Sequence, residues 1–386
     1  MITTSADPRG SRGADVELAA LSAILVHGPV SRSELATRLA LSQSTMTRAV
    51  KPLIDRGLVQ EGSEALEGPG RPSRPLSGVP GGRKYVGAKL TGDEVIAVVT
   101  DMLAHELASK SGALDSHDPE RVVDVTTRLI RELIDPGELA YVGLSLGGSA
   151  VDGRTVDRAP FLGWRGTPLA SMLEDRLGVP VVIDNDLSAL TAGEHWFGAA
   201  RGLDDFAVVT IGAGVGLGLV RHGQVIRTRD SGLGLAGHIP LEGHGIPCAA
   251  GHRGCATAVL SIPSIEAQAT VALRRPTTFA ETLDLAREGD RACSEIVDGA
   301  ARALGRLLAL VADLAMVDVV VVGGDGIALL DAAEHDVRRQ LRQDRDPEAH
   351  ELELRVDHSD FTRWARGAAT VAIQASLRGL LEDSTG

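Results

Sequence analysis

Between Leu41 and Arg56 the chain places short polar side chains ahead of an apolar stripe, an arrangement suited to reading a nucleic acid. Ser42, Gln43, Ser44, Thr45, Thr47 and Arg48 hold the leading end, and Met46, Val50, Leu53 and Ile54 recur behind them at helical spacing. Small hydroxyl and amide groups let a helix end approach the floor of a major groove, and Gln43, Arg48 and Lys51 can bond base edges or phosphates. Sulfur is the second chemical set. Three cysteines cannot build a disulfide framework, so Cys248 and Cys255 read as free thiols or metal ligands and the solitary Cys293 as packing. The third set is the alternation Gly212-x-Gly214-x-Gly216-x-Gly218, a tight backbone loop that says little by itself.

The DNA-facing residues need a scaffold, and the first 82 residues supply one. Val16, Leu18, Ala19, Leu21, Ile24 and Leu25 predict a helix over 15–26, ended by His27-Gly28-Pro29. Ser31 with Glu34 three residues later is a capping box opening a second helix, whose buried face is Leu35 and Leu39. A short turn at Leu41-Ser42 leads to the third helix, 43–56, where Pro52 removes one backbone hydrogen bond and is expected to kink it. Gly57 ends that helix and residues 58–60 read as a strand. The Gly/Pro/Arg-rich stretch 67–75 then reads as the tip of a β-hairpin wing, with Arg71 placed for a narrow minor groove, or as a disordered linker. Three helices, a turn and a basic wing in this order make a winged helix-turn-helix.

Charge supports that placement. The net charge is −13, yet residues 1–84 hold 11 Lys/Arg against 8 Asp/Glu, or +3, leaving 28 against 44, or −16, for the remainder. A duplex repels the acidic part, so DNA contact is expected from the first 84 residues alone. Apolar runs such as 206–211 and 319–322 are strand-length, far short of the roughly 18 residues a membrane span needs. Residues 1–13 lack the apolar core of a signal peptide. A cytoplasmic protein, held at the nucleoid by its DNA contact and without a membrane partner, is expected.

Beyond residue 83 strands alternate with helical runs, which predicts α/β architecture. Strands 85–90 and 94–101 form a hairpin, followed by a helix at 119–134, a strand at 141–146, a helix at 168–177, a strand at 181–183 and a helix at 186–196. A second hairpin, 206–212 with 216–221, surrounds the glycine loop. Residues 267–310 read as helical with one break at Pro276, and 319–322 is a buried strand ending in Gly323-Gly324. The hairpin theme occurs twice, which predicts two lobes: 83–203 and 204–386, with the last helix returning to the first lobe.

Specific segments then carry a resemblance. Asp184-Asn185-Asp186 followed by Ala189 and Ala192-Gly193-Glu194-His195-Trp196-Phe197-Gly198-Ala199-Ala200-Arg201-Gly202 resembles the sugar-binding and catalytic stretch of the ROK family, which contains repressors and sugar kinases. Residues 211–218 look like its second phosphate loop, and Ala159-Pro160-Phe161-Leu162-Gly163-Trp164 like its sugar-side loop. Gly237-His238 with Cys248 and Cys255 looks like its zinc segment. The resemblance runs from Tyr85 to the end, and the preceding winged helix matches the family's regulators. It implies a two-lobed actin-like, sugar-kinase-like fold.

The departures from the family pattern matter as much. The resemblance makes Asp186 the catalytic base and Asn185 a sugar ligand, but the first phosphate loop is Lys89-Leu90-Thr91-Gly92-Asp93, with lysine where the kinases have an acid. Phosphoryl transfer and ATP binding are therefore not expected. Phe161 replaces an Asn, and Leu235 a Glu, among the sugar contacts. A hydroxyl facing such a wall loses roughly 1–3 kcal/mol, so an ordinary hexose should bind poorly. The ligand site, Phe161, Asn185, Asp186, Leu235 and His238, is either remodelled for a more apolar or differently substituted ligand or has ceased to sense. The polar groups of Asn185, Asp186 and His238 favour the first. In the metal segment His238, Cys248 and Cys255 fit, but Ala250 stands where a cysteine is expected, so either His252 or His244 completes a zinc site or zinc is weak or absent. The leading expectation is a ligand-responsive regulator, a repressor of carbohydrate-related genes, binding a partly palindromic double-stranded operator as a homodimer or homotetramer. The alternatives are a residual sugar or amino-sugar kinase using Asp186, and a DNA-bound protein whose second domain is an interaction module.

Overall fold

The computed structural model describes residues 8–63, 74–243, 245–358 and 361–382. The chain divides into two compact units, one of residues 1–202 with 362–386 and one of 203–361.

The first unit opens with α1 (Pro8–His27), α2 (Arg32–Arg38) and α3 (Gln43–Asp55), then β1 (Val59–Glu61) and β2 (Leu76–Gly78). Both halves of the capping box form: Ser31 Oγ accepts from the Glu34 amide at 3.2 Å, and Glu34 Oε2 from the Ser31 amide at 2.8 Å. Ser42 caps α3 with its side chain alone, and α3 runs through Pro52 to Asp55. β1 and β2 pair antiparallel from Val59↔Gly78 to Glu61↔Leu76, the base of a wing. Its tip, with Arg71, lies outside the described residues.

A five-stranded sheet follows: β3 (Lys84–Leu90), β4 (Glu94–Thr100), β5 (Glu106–Ala113), β6 (Leu139–Leu146) and β7 (Val181–Asn185), in the order β5-β4-β3-β6-β7. The hairpin strands are antiparallel, and β6 and β7 are added parallel to β3. Alternation sends Val86, Ala88 and Leu90 to one face, under α4 (Pro119–Leu133) and α5 (Leu169–Leu177). The C-terminal helix Phe361–Glu382 lies against the other face. A Cβ on Gly87 would come 1.8 Å from Ala365 O, and one on Gly143 1.9 Å from Ala368 O, so only glycine permits this approach. α6 (Asp186–Trp196) begins directly at the end of β7. The core of α1–α3, with Leu21, Ile24, Met46 and Leu53, continues into Tyr85, Met102, Ile373 and Leu377, so the helix-turn-helix is packed onto the sheet and C-terminal helix.

The second unit contains β8 (Phe206–Ile211), β9 (Val215–Arg221), β10 (Gln224–Val225), α7 (Ala256–Leu260), α8 (Ile262–Leu273), α9 (Phe279–Arg287), α10 (Arg291–Ala315), β11 (Val319–Gly323), α11 (Ala328–Gln343) and β12 (Glu353–Val356). The C-terminal helix is therefore α12. The strand order, β10-β9-β8-β11-β12, repeats that of the first sheet strand for strand, with β8 in the place of β3. The helical stretch predicted with one break has two: Arg274, at φ 55°, ends α8 well before Phe279, and Gly289, at φ 89°, separates α9 from α10. The first break brackets Pro276, as expected; the second, at Gly289, is too short to interrupt the apolar pattern that runs on from α9 into α10.

Candidate functional site

Two sites are laid out in the first unit. On α3, Met46, Ala49, Val50 and Leu53 are buried, which turns Gln43, Ser44, Thr47, Arg48 and Lys51 outward; Ser42 is exposed and Thr45 half-buried. Ser42 is committed to capping: its Oγ accepts from the Thr45 amide at 3.1 Å and bonds the hydroxyls of Ser44 and Thr45 at 2.9 and 2.8 Å. Thr47 donates to the carbonyl of Gln43 at 2.9 Å, and Arg48 Nε to that of Ser44 at 3.3 Å. The outward face of α3 thus offers Gln43 at its start and Lys51 two turns on as long polar side chains, with Arg48 folded back along the helix.

The second site sits where β3, the end of β7 and α12 meet. Lys89, 5% exposed, pairs its ammonium with Asp186 Oδ2, and the same nitrogen lies 5.0 Å from the centre of the Trp364 ring. Asp186 Oδ1 accepts from the Leu187 amide at 2.8 Å and from Asn185 Nδ2 at 3.1 Å. Asn185 Nδ2 also donates to Gly148 O at 2.9 Å, while its Oδ1 caps α6 through the Ser188 amide at 3.0 Å. Both amide hydrogens of Asn185 are therefore committed. A catalytic base needs an acceptor direction aimed at a substrate hydroxyl, and in Asp186 one oxygen holds two donors and the other an ammonium. Phe161 is 62% exposed, and its ring and Asp186 converge on Gly147, where a Cβ would stand 3.1 Å from Phe161 Cδ2 and 3.6 Å from Asp186 Oδ2. The Lys89–Asp93 segment closes on itself: Thr91 Oγ1 donates to Asp93 Oδ1 at 2.7 Å and accepts from the Glu94 amide at 3.0 Å.

In the second unit Leu235 and His238 share one 3₁₀ turn, Leu235 at 59% exposure and His238 half-buried. His238, Cys248 and His252 bring their ligand atoms within 4.8 Å of one another, the one such group among the described residues. The two Nδ1 atoms are 3.1 Å apart, and Cys248 Sγ is 3.8 and 3.7 Å from those of His238 and His252. Tetrahedral zinc with its usual bond lengths has N···N and N···S edges of about 3.3 and 3.6 Å, so these three donors fit such an ion. Cys255 falls outside this cluster and is buried, with Sγ 3.9 Å from His252 O; His244 lies outside the described residues. Burial works to raise the Cys248 thiol, but hydrogen bonds from the Ala250 and His252 amides and from the Cys255 and His252 side chains outweigh it and bring it down to about 7. Burial pushes the Cys255 thiol up. The glycine loop is held as a packed turn: Gly212 N donates to Gly214 O at 2.9 Å, and Gly326 N to Ile211 O at 2.8 Å.

Trp364 is the site residue that sequence reasoning missed. It enters from a helix at the far end of the chain, and no local pattern marks it as the neighbour of Lys89.

Comparison with known proteins agrees with this layout. Residues 14–68 match the MarR family and residues 85–375 the ROK family. The chain is 25% identical over 376 residues to the DNA-binding transcriptional dual regulator NagC of Escherichia coli (strain K12), covering 92% of this chain and 91% of that protein. Its fold is similar to that of a ROK family transcriptional regulator described as a homolog of the E. coli MLC protein, with a TM-score of 0.78, 22% identity, and 96% and 98% of the two chains covered. A ROK family glucokinase from Streptomyces griseus, solved with glucose and AMPPNP, aligns with a TM-score of 0.64 at 26% identity over 75% of this chain and 99% of its own. With a family match spanning both five-stranded sheets and α12, and a winged helix ahead of it, the chain belongs to the ROK family.

Proposed function

We propose that the protein is a transcription regulator of carbohydrate-related genes, in which residues 1–82 bind a double-stranded operator and the ROK domain senses a sugar or sugar derivative without phosphorylating it. The observation that carries this reading is the Lys89–Asp186 pair: the residue in the position of the kinase base is engaged by a buried ammonium, while the outward face of α3 remains available to DNA. The names of the relatives, NagC and the xylose repressor of Bacillus subtilis among them, point the same way.

In the first unit the sensing site uses Phe161, Asn185 and Asp186. With the Asn185 amide hydrogens committed and Phe161 exposed beside Asp186, it suits a ligand with an apolar substituent better than a bare hexose. His238, Cys248 and His252 would hold zinc, with Cys255 the nearest source of a fourth ligand; the ion would fix the segment from His238 to Cys255. A homodimer or homotetramer places two winged helices on operator half-sites about one helical turn apart. Such a protein works in the cytoplasm on the nucleoid.

A coupled assay with ATP, magnesium and a panel of sugars and amino sugars tests the absence of phosphoryl transfer. The reading expects no product, with Asp186→Asn behaving as the wild type. Turnover abolished by Asp186→Asn would make the protein a kinase.

A further inference from the structure

The stretch after α6 is tied down twice. Glu194, 1% exposed, accepts from Arg363 Nε at 2.5 Å and Nη2 at 2.6 Å, and its Oε2 also takes the Ala199 amide at 2.8 Å. A Cβ on Gly198 would sit 2.5 Å from Glu194 Oε2, so the chain presses directly on the carboxylate. Seven residues after Glu194, the Arg201 guanidinium reaches the C-terminal end of α1: Nε donates to Val26 O at 2.9 Å, and Nη2 to Leu25 O at 3.0 Å and Gly28 O at 2.9 Å. Carbonyls at a helix end lack intrahelical donors, so a cation that satisfies three of them holds that end in place. The α1 end is in turn part of the core that seats α3: Leu21, Ile24 and Leu25 pack with Met46, Val50 and Leu53.

Position in the chain gives these contacts their meaning. The backbone passes between the two compact units at 202/203 and again at 361/362. Arg201 and Arg363 each stand within two residues of one of those connections. At its other end α6 begins with Asp186, in the sensing site. One short segment therefore joins the sensing site, both inter-unit connections and the helix that seats the recognition helix.

We propose that residues 194–202 transmit the state of the sensor to the DNA-binding module: the Glu194–Arg363 pair responds to movement at the inter-unit connections, and Arg201 passes that response to the end of α1 and thence to α3. This deepens the regulatory reading above and rests on it. Arg201 and Glu194 are positioning residues, whose partners are α1, Arg363 and the Ala199 amide. A bistable arrangement of such a linkage is the physical requirement for coupling two sites.

The test uses the full chain as wild type, Arg201→Lys, Glu194→Gln and the double variant, with Arg363→Lys as a second probe of the same pair should Glu194→Gln fail to fold. Amide hydrogen exchange is read at residues 24–28 and across α3, with β8 and β9 as an internal control. Lysine has one nitrogen where Arg201 uses both Nε and Nη2, so Arg201→Lys is expected to loosen this end and speed exchange at 24–28. Glu194→Gln, whose hydrogen bonds go to Arg363 and Ala199, is expected to do the same, with the double variant adding little. Operator affinity, by fluorescence anisotropy on a selected genomic fragment, is expected to shift about tenfold while binding to random DNA is unchanged. If Glu194→Gln or Arg363→Lys speeds exchange only around 194–199 and 363 and leaves α1 as in the wild type, the linkage is wrong. The exchange readout needs neither operator nor effector, so it can fail while DNA recognition stands, and the reverse.

Discussion

Replacing Lys89 by Met leaves the Asp186 carboxylate without its ammonium at a site where its side chain is 18% exposed. Removing one partner of a buried ion pair costs about 3–5 kcal/mol, because the other charge stays behind desolvated. Asp186 keeps two hydrogen bonds, from Leu187 and Asn185, and some contact with water, which brings the expected loss to about 2–3 kcal/mol. For a domain of this size that corresponds to roughly 5–10 °C in Tm. Asp186→Asn should cost a similar amount, since it strands an ammonium whose side chain is only 6% exposed. The double variant Lys89→Met with Asp186→Asn removes both charges and should recover to within about 1 kcal/mol of the wild type. Urea unfolding followed by tryptophan fluorescence suits the purpose, because Trp164, Trp196 and Trp364 all lie in the first unit. Single losses below about 0.5 kcal/mol, or a double variant no better than the worse single, would refute the reasoning that this pair is a buried, mutually dependent contact.

Further outcomes follow from the other sites. Gln43→Ala should relax base discrimination by about 1–3 kcal/mol at one operator position, whereas Lys51→Ala should weaken binding to all sequences and reduce the salt slope by about one; competition titrations at several salt concentrations separate the two. Purified wild type should carry about one zinc per chain by elemental analysis and Cys248→Ser much less; equal zinc in both would remove His238, Cys248 and His252 from the role. The carboxyls of Glu34 and Glu61 are held below 4.5, chiefly by hydrogen bonds from Ser31 and Arg32. Their contribution to the winged helix is therefore fully present above pH 4.5 and lost as pH falls through the lowered values. Glu34→Gln should flatten that acid limb in a pH series of thermal melts, and an unchanged limb would contradict the assignment.

The elements that were legible in the sequence are those whose signals are local. Ser31 with Glu34 specified a capping box, and Asp186 to Trp196 a helix following an apolar strand; both stand where the spacing put them. The repeated hairpin indicated two related halves, though not that their strand orders match throughout. β5 is not legible in the sequence because its residues are mostly exposed and polar, so this edge strand carries no alternation to read. Lys89 is legible as a departure from the kinase pattern, but its pairing with Asp186 is not. Its partner lies 97 positions away, and nothing in local spacing links them. The same holds for Arg201 and the end of α1, and for Trp364. His252 is one of two candidates for the missing metal ligand; geometry brings it beside His238 and Cys248, while Cys255, implied by the family resemblance, stands outside their cluster.

DNA recognition under the control of a small molecule is what sets this protein apart from a sugar kinase of the same family. The most direct measurement is recovery of genomic DNA fragments on the purified full-length protein, repeated in the presence of sugars, amino sugars and sugar phosphates. Enrichment of one partly palindromic sequence, and its release by a particular compound, is the expected result. Retention of no fragment above random DNA would contradict it.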